Sequence, residues 1–213
     1  MNTGFGNTEP RIFFKIKDGK IVVKDLETSQ NAFYSFFAGF LDSITYVEKE
    51  ILLNGKTQLM KSYNVSFKDK DNHVYIWSPS PTASLFQGFI NSLCSLDNFD
   101  NTIIQLQPYV KDGQQRLSIQ YSKQTYSDSP QKWERLNWKY KYIELPTIKP
   151  IVDSKNKPVK DANGHVVYDF EDRLNWIAER VAEINKKVSE STMDALEPIE
   201  DENTEDDLDN IPF

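Results

Sequence analysis

The chain has 213 residues, a length that suits one domain with appendages, and its composition is 38% hydrophobic, 27% charged and a high 13% aromatic. No apolar run approaches the ~18 residues of a membrane helix, and MNTGFGNTEP lacks the basic-then-apolar order of a signal peptide, so a cytoplasmic protein without a membrane partner is expected. The net charge of -7 is uneven: all 25 Lys and Arg lie at or before Lys187 and ten of the 32 acids lie beyond it, giving a body of +3 and a tail of -10.

In chain order, RIFFKIKDGKIVVK alternates apolar and polar residues around Asp18-Gly19, which predicts a hairpin from Arg11 to Lys24. From Phe33 the aromatic-rich stretch FYSFFAGFLDSITYVEKEIL reads as one long strand. Lys61 to Lys68 and Asn72 to Ser78 flank the polar turn DKDN as a second hairpin. Ser80-Pro81 then opens a helix of roughly Pro81 to Leu96, with Leu85, Phe86, Phe89, Ile90 and Leu93 at helical spacing. Cys94, the single cysteine, falls within it and reads as a small buried apolar residue.

Two strands, Thr102 to Lys111 and Arg116 to Lys123, are joined through Asp112-Gly113, and a further strand is expected from Leu136 to Leu145. Strands, one helix, then strands is the layout of an OB-fold-like antiparallel barrel with an inserted helix, placed in residues 1–150. Residues 151–188 read as an extension. It begins with a small hairpin over the barrel, turning at Asn163-Gly164, and continues as a helix capped by Asp169 with a stripe of Leu174, Ile177, Val181, Ile184 and Val188. That stripe docks on its own domain or pairs in a dimer. After Ser189 apolar content collapses, and residues 189–213 are expected to be a disordered acidic tail.

The tail ends EDENTEDDLDNIPF. Here the chain resembles the bacterial single-stranded DNA-binding protein family and its phage-encoded relatives, whose tails end in acids followed by Ile-Pro-Phe or a close variant. The resemblance implies sequence-independent binding and protection of single-stranded DNA during replication, recombination and repair in a bacterial cell or phage-infected host. It further implies that Asp206, Asp207, Asp209, Ile211, Pro212 and Phe213 recruit replication and repair proteins. Phe213 would fill an apolar pocket while its carboxylate meets a basic rim, with the acids adding long-range attraction. Three departures point to a divergent phage or mobile-element member: the N-terminal hairpin, the extra elements between 136 and 188, and the lack of a Gly/Gln/Pro-rich linker. A homo-oligomer stays open.

Single strands are held by basic grooves along the phosphates and by aromatic side chains stacked on bases. Period-two alternation turns Arg11, Phe13, Lys15 and Lys17 outward, joined by Lys20 and Lys24; the same face can also be a lysine-decorated guard against edge pairing. Tyr75 and Trp77 share a face with His73, free to stack or to pack under the last helix. The segment QKWERLNWKYKYIEL interleaves Trp133, Trp138 and Tyr140 with Lys132, Arg135, Lys139 and Lys141. As a strand it puts Trp138, Tyr140 and Tyr142 on one face and the lysines on the other, either of which can be the wet one. Tyr109 and Lys111 beside the later turn complete the candidates.

No His-x-His, Walker or nucleophile-elbow pattern occurs, and Asp69-x-Asp71 lacks the Gly and final Glu of a calcium loop, so neither an enzyme nor a cofactor is expected. The alternative is a protein-interaction adaptor that uses the acidic tail and binds no nucleic acid.

Overall fold

Asp18 and Gly19 both take positive φ (51° and 69°), the conformation of a two-residue hairpin turn, and they join β1 (Arg11–Lys17) to β2 (Lys20–Lys24) as the alternation predicts. The computed structural model describes residues 11–24, 30–53, 55–123 and 132–194. The aromatic stretch divides: β3 (Asn31–Tyr34) folds back onto β2, and β4 (Phe37–Leu53) runs on as the long strand. Beyond it come β5 (Lys56–Lys68), β6 (Val74–Trp77), the helix α1 (Ser84–Leu93), β7 (Ile103–Lys111) and β8 (Gln114–Ser122). The helix starts at Ser84 rather than Pro81, because residues 80–83 form a turn in which Ala83 N–H donates to the Ser80 carbonyl at 3.1 Å.

With β9 (Glu134–Arg135), these strands make one nine-stranded sheet ordered β3-β2-β1-β6-β5-β4-β7-β8-β9. The fold is mainly β, and the sheet curls into a half-barrel. One pair departs from the antiparallel expectation: β1 lies parallel to β6, with Phe13 opposite Ile76. The N-terminal hairpin is therefore part of the sheet and not an addition to it. The curl brings its tip onto the β7–β8 hairpin. There a Cβ on Gly19 would lie 3.1 Å from Val110 Cγ2, Asp18 N–H donates to Gln115 Oε1 at 2.9 Å, and Gln115 Nε2 donates to the Ile16 carbonyl at 3.2 Å.

Inside the curl, α1 drives Phe86, Phe89, Ile90 and Leu93 against Val65, Phe67, Ile104 and Leu106, all fully buried. Each such side chain contributes roughly 1.5–3 kcal/mol relative to exposure. Cys94 is buried at the end of α1, and burial pushes its thiol pKa up.

The strand expected from Leu136 to Leu145 does not form. Only Glu134–Arg135 pairs with β8, and Leu136 N–H reaches the Ile119 carbonyl at 2.9 Å. Beyond that the buried side chain of Asn91 takes over: Tyr140 N–H donates to its Oδ1 and its Nδ2 donates to the Tyr140 carbonyl, both at 2.9 Å. A side-chain amide thus replaces the next ladder pair, and Tyr142–Glu144 tightens into a 3₁₀ turn.

The extension is a small ladder of β10 (Lys149–Pro150), β11 (Tyr168–Asp169) and two isolated bridges. Residues 149–165 are exposed throughout, so the ladder stands away from the barrel instead of lying over it. Asp169 Oδ1 accepts Glu171 N–H at 2.9 Å and opens α2 (Glu171–Asp194). Ile177, Val181, Ile184 and Val188 are buried within the same chain, which favours docking over dimer pairing for this stripe. The helix outlasts its expected end near Ser189, with Ser191 Oγ accepting Phe99 N–H at 3.1 Å. No described helix is long and apolar enough to cross a membrane.

Candidate nucleic-acid interface

The two-residue turn at Asp112-Gly113 (φ 53° and 70°) sets Tyr109 directly opposite Arg116 on the β7–β8 hairpin. Next to β8, β9 carries Arg135, and the Asn91 amide holds the following segment against α1. Trp138 consequently lies on Gly88, where a Cβ would come within 3.4 Å of its Cζ2 and 3.5 Å of its Nε1. Leu85, Gly88, Tyr109, Arg116, Arg135 and Trp138 line a groove of about 300 Å³. Trp138 is 51% and Tyr109 38% exposed. Arg116 donates to Gln114 Oε1 at 2.6 Å, and among the described residues neither it nor Arg135 has an ion-pair partner. Two half-open aromatic surfaces therefore stand beside two arginines, and among the described residues no carboxylate lines the groove.

The face formed by β1, β2 and β3 is a second patch. Arg11, Phe13, Lys15, Lys17, Lys20 and Lys24 are exposed as the alternation predicts, and Phe33 joins them because it pairs with Val22, itself opposite Lys15. Phe13 is 56% and Phe33 65% exposed. Lys17 has only a loose 3.9 Å contact with Asp18, both side chains being well exposed, and such pairs contribute little. The Gln115 seam links the two patches. Lys17 and Lys20 flank the Asp18-Gly19 turn on one side, while Lys111 and Arg116 flank the β7–β8 turn on the other.

Other candidates fall elsewhere. Trp77 is only 4% exposed and meets Phe86 and Phe89 edge-on at 6.2 and 5.5 Å, so it is a core residue and not a stacking surface. Tyr75 is half-buried, and its hydroxyl donates to Asp69 Oδ2 at 3.2 Å. Tyr140 is no strand residue: its ring stands edge-on to Trp176 at 5.6 Å, and its hydroxyl accepts from Arg180 Nη1 at 3.1 Å, which ties α2 to the segment after β9. Lys132 is exposed and lies 3.6 Å from Glu134, and Trp133 is half-buried. Lys139 and Lys141 are exposed outside the groove lining, the first with its ammonium 5.7 Å from the Tyr140 ring centre. Asp206, Asp207, Asp209, Ile211, Pro212 and Phe213 lie outside the described residues.

Arg116 and Phe33 belong to these patches although the strand pattern alone passed over them. Counting outward from Asp112-Gly113 locates Arg116 opposite Tyr109, so that signal is present in the sequence. Phe33 carries no such signal, because its pairing to β2 requires the chain to break between Tyr34 and Phe37.

Asp69, Asp71 and His73 bring ligand-type atoms within 4.8 Å of one another. The Asp69 carboxylate is already committed to the turn, since Oδ1 accepts the N–H groups of Asp71 and His73 and Oδ2 meets His73 Nδ1 and the Tyr75 hydroxyl. Burial pushes its pKa up, and these hydrogen bonds outweigh that and hold it below the ordinary value. Compared with known proteins, the chain matches no family model, no curated protein and no solved structure.

Proposed function

We propose that the protein binds single-stranded DNA without sequence preference, and that its acidic tail recruits replication and repair proteins. The observation that carries this reading is the groove in which Tyr109 and Trp138 are half-open beside Arg116 and Arg135, neither arginine having an ion-pair partner among the described residues. Bases stack on the rings, each stack worth about 1–3 kcal/mol, while the guanidinium groups meet phosphates. The Phe13 and Phe33 patch, with its lysines, extends the path across the Gln115 seam.

The order of three strands β4, β5 and β6, then α1, then β7 and β8, supports an OB-like barrel. In such a barrel the loop between the last two strands borders the oligonucleotide, and here that loop stands next to Lys111 and Tyr109. The terminal Ile-Pro-Phe and its resemblance to the bacterial single-stranded DNA-binding protein family supply the second half of the reading.

Titrating labelled oligo-dT at several salt concentrations tests it. A negative slope of log affinity against log salt, with much weaker binding to duplex, is the expected result. Binding that is absent, or equal for duplex and single strand, would remove the DNA reading and leave the adaptor.

A further inference from the structure

Residues 149–169 contribute almost nothing to the core, yet they are tightly built. Three passes of chain are tied together by Ile151 N–H to the Val167 carbonyl (2.9 Å), Val159 N–H to Ile151 (2.8 Å) and Val167 N–H to Val159 (2.9 Å). Both turns repeat one device. Asp153 Oδ1 accepts the N–H groups of Lys155 and Lys157, and Asp161 Oδ1 accepts those of Asn163 and His165, all at 2.8–2.9 Å. Each turn then closes on a residue with positive φ, Asn156 at 63° and Gly164 at 82°. Asp153 and Asp161 are thereby turned toward the arm's own backbone but keep their charge, and together with Asp169, which caps α2, they leave the four lysines of the arm a surplus of one positive charge. Lys149, Lys155, Lys157 and Lys160 remain exposed, with no ion pair among the described residues.

The arm is rooted beside the groove. Buried Arg173 donates through Nε (2.9 Å) and Nη2 (2.6 Å) to the Pro146 carbonyl and through Nη1 to Gln87 Oε1 at 3.1 Å. Gln87 is the neighbour of Gly88, on which Trp138 lies. A stiff arm with a lysine surplus, bolted to the helix that floors an arginine-flanked groove, is complementary in charge to a strand leaving that groove.

Resting on the single-stranded DNA reading above, we propose that the 149–169 arm is a further nucleic-acid contact, in which Lys149, Lys155, Lys157 and Lys160 bind phosphates without stacking. Contacts of this kind act through counterion release, so each neutralised phosphate on a single strand contributes about -0.7 to the slope of log affinity against log salt. The test is a full-length variant with all four lysines changed to glutamine, titrated with long oligo-dT beside the wild type. A control loses the same charge at exposed Lys49, Lys61, Lys70 and Lys186.

The expected result is a slope shallower by about 3 in the arm variant, with tryptophan quenching at saturation and the thermal midpoint unchanged. The control should keep most of the wild-type slope. An arm variant with wild-type slope and affinity overturns the arm as a DNA contact while leaving the groove intact, and equal losses in arm and control reduce it to general charge. Failure of the wild type itself to bind oligo-dT removes the underlying reading, and the arm's role with it.

Discussion

The side-chain amide of Asn185 on α2 exchanges two hydrogen bonds with the backbone of Ile44 on β4: Ile44 N–H donates to Oδ1 at 2.9 Å, and Nδ2 donates to the Ile44 carbonyl at 2.8 Å. Ladder pairing of β4 with β7 covers only Phe37 to Phe40, so Ile44 lies beyond it and Asn185 satisfies its backbone in place of a strand. Asn185→Leu should cost about 1–3 kcal/mol, because a part-buried donor and acceptor lose their partner together. Urea unfolding read by circular dichroism would measure it. Affinity for oligo-dT should be unaffected, and a large change in it would mean that α2 helps shape the DNA path.

The two tryptophans divide stability from binding. Trp138→Ala should weaken oligo-dT binding by about 1–3 kcal/mol and remove much of the fluorescence quenching, since a stacking surface is lost. Trp77→Ala should instead destabilise the fold by about 3–5 kcal/mol, the cost of emptying a packed aromatic site. Paired titration and unfolding curves for the two variants check both halves. Full quenching retained by Trp138→Ala would argue against the groove.

The Gln115 seam predicts a coupling between the two patches. Gly19→Ala imposes strain at φ +69° and brings a Cβ within 3.1–3.2 Å of Val110 and the Tyr109 backbone. The variant should lose roughly 1 kcal/mol or more of stability. Gln115→Ala removes the two seam hydrogen bonds without that strain and should have the milder effect. Hydrogen exchange at Asp18 should accelerate in both variants, because its N–H depends on the Gln115 amide.

Tyr46 supplies a pH signature. Its hydroxyl donates to Glu48 Oε1 at 2.6 Å, and this bond to a carboxylate, with some burial and the nearby negative charge, pushes its pKa up to about 12. The raised folded value means that the stabilising contribution is complete below about pH 10, the unfolded value, and fades as pH rises through 12. Ultraviolet titration of wild type against Tyr46→Phe should show one late-titrating phenol missing in the variant. The wild type should also lose more stability than the variant between pH 10 and 12.

Because α2 continues to Asp194, a tail truncation belongs after that residue. Removing 195–213 should raise oligo-dT affinity at low salt and matter less at high salt, as the Debye length shrinks to ~10 Å at 0.1 M. Phe213→Ala should leave DNA affinity alone and cost about 2 kcal/mol or more in partner affinity, the usual loss for a buried aromatic anchor. Quantitative pull-down from the natural host separates this from charge attraction alone, under which Phe213→Ala would still capture its partners.

Local signals in the sequence determined much of the fold. Asp18-Gly19 and Asp112-Gly113 need positive φ at both turn residues, and the strands they join follow from counting outward. The spacing of Phe86, Phe89, Ile90 and Leu93, and of Ile177, Val181, Ile184 and Val188, suffices for two helices whose stripes are buried. Alternation likewise turned Arg11, Phe13, Lys15 and Lys17 outward, since in a half-buried strand a one-residue slip would bury the charges. Where partners are distant in sequence, only the tertiary structure decided. Nothing local announces that β1 lies parallel to β6, that Trp77 faces α1, or that the Asn91 amide displaces a strand at Tyr140 49 residues away. The assembly of Tyr109, Arg116, Arg135 and Trp138 is decided in the same way, because their meeting depends on how the sheet curls around α1 and on the segment after β9 packing Trp138 against Gly88 of that helix.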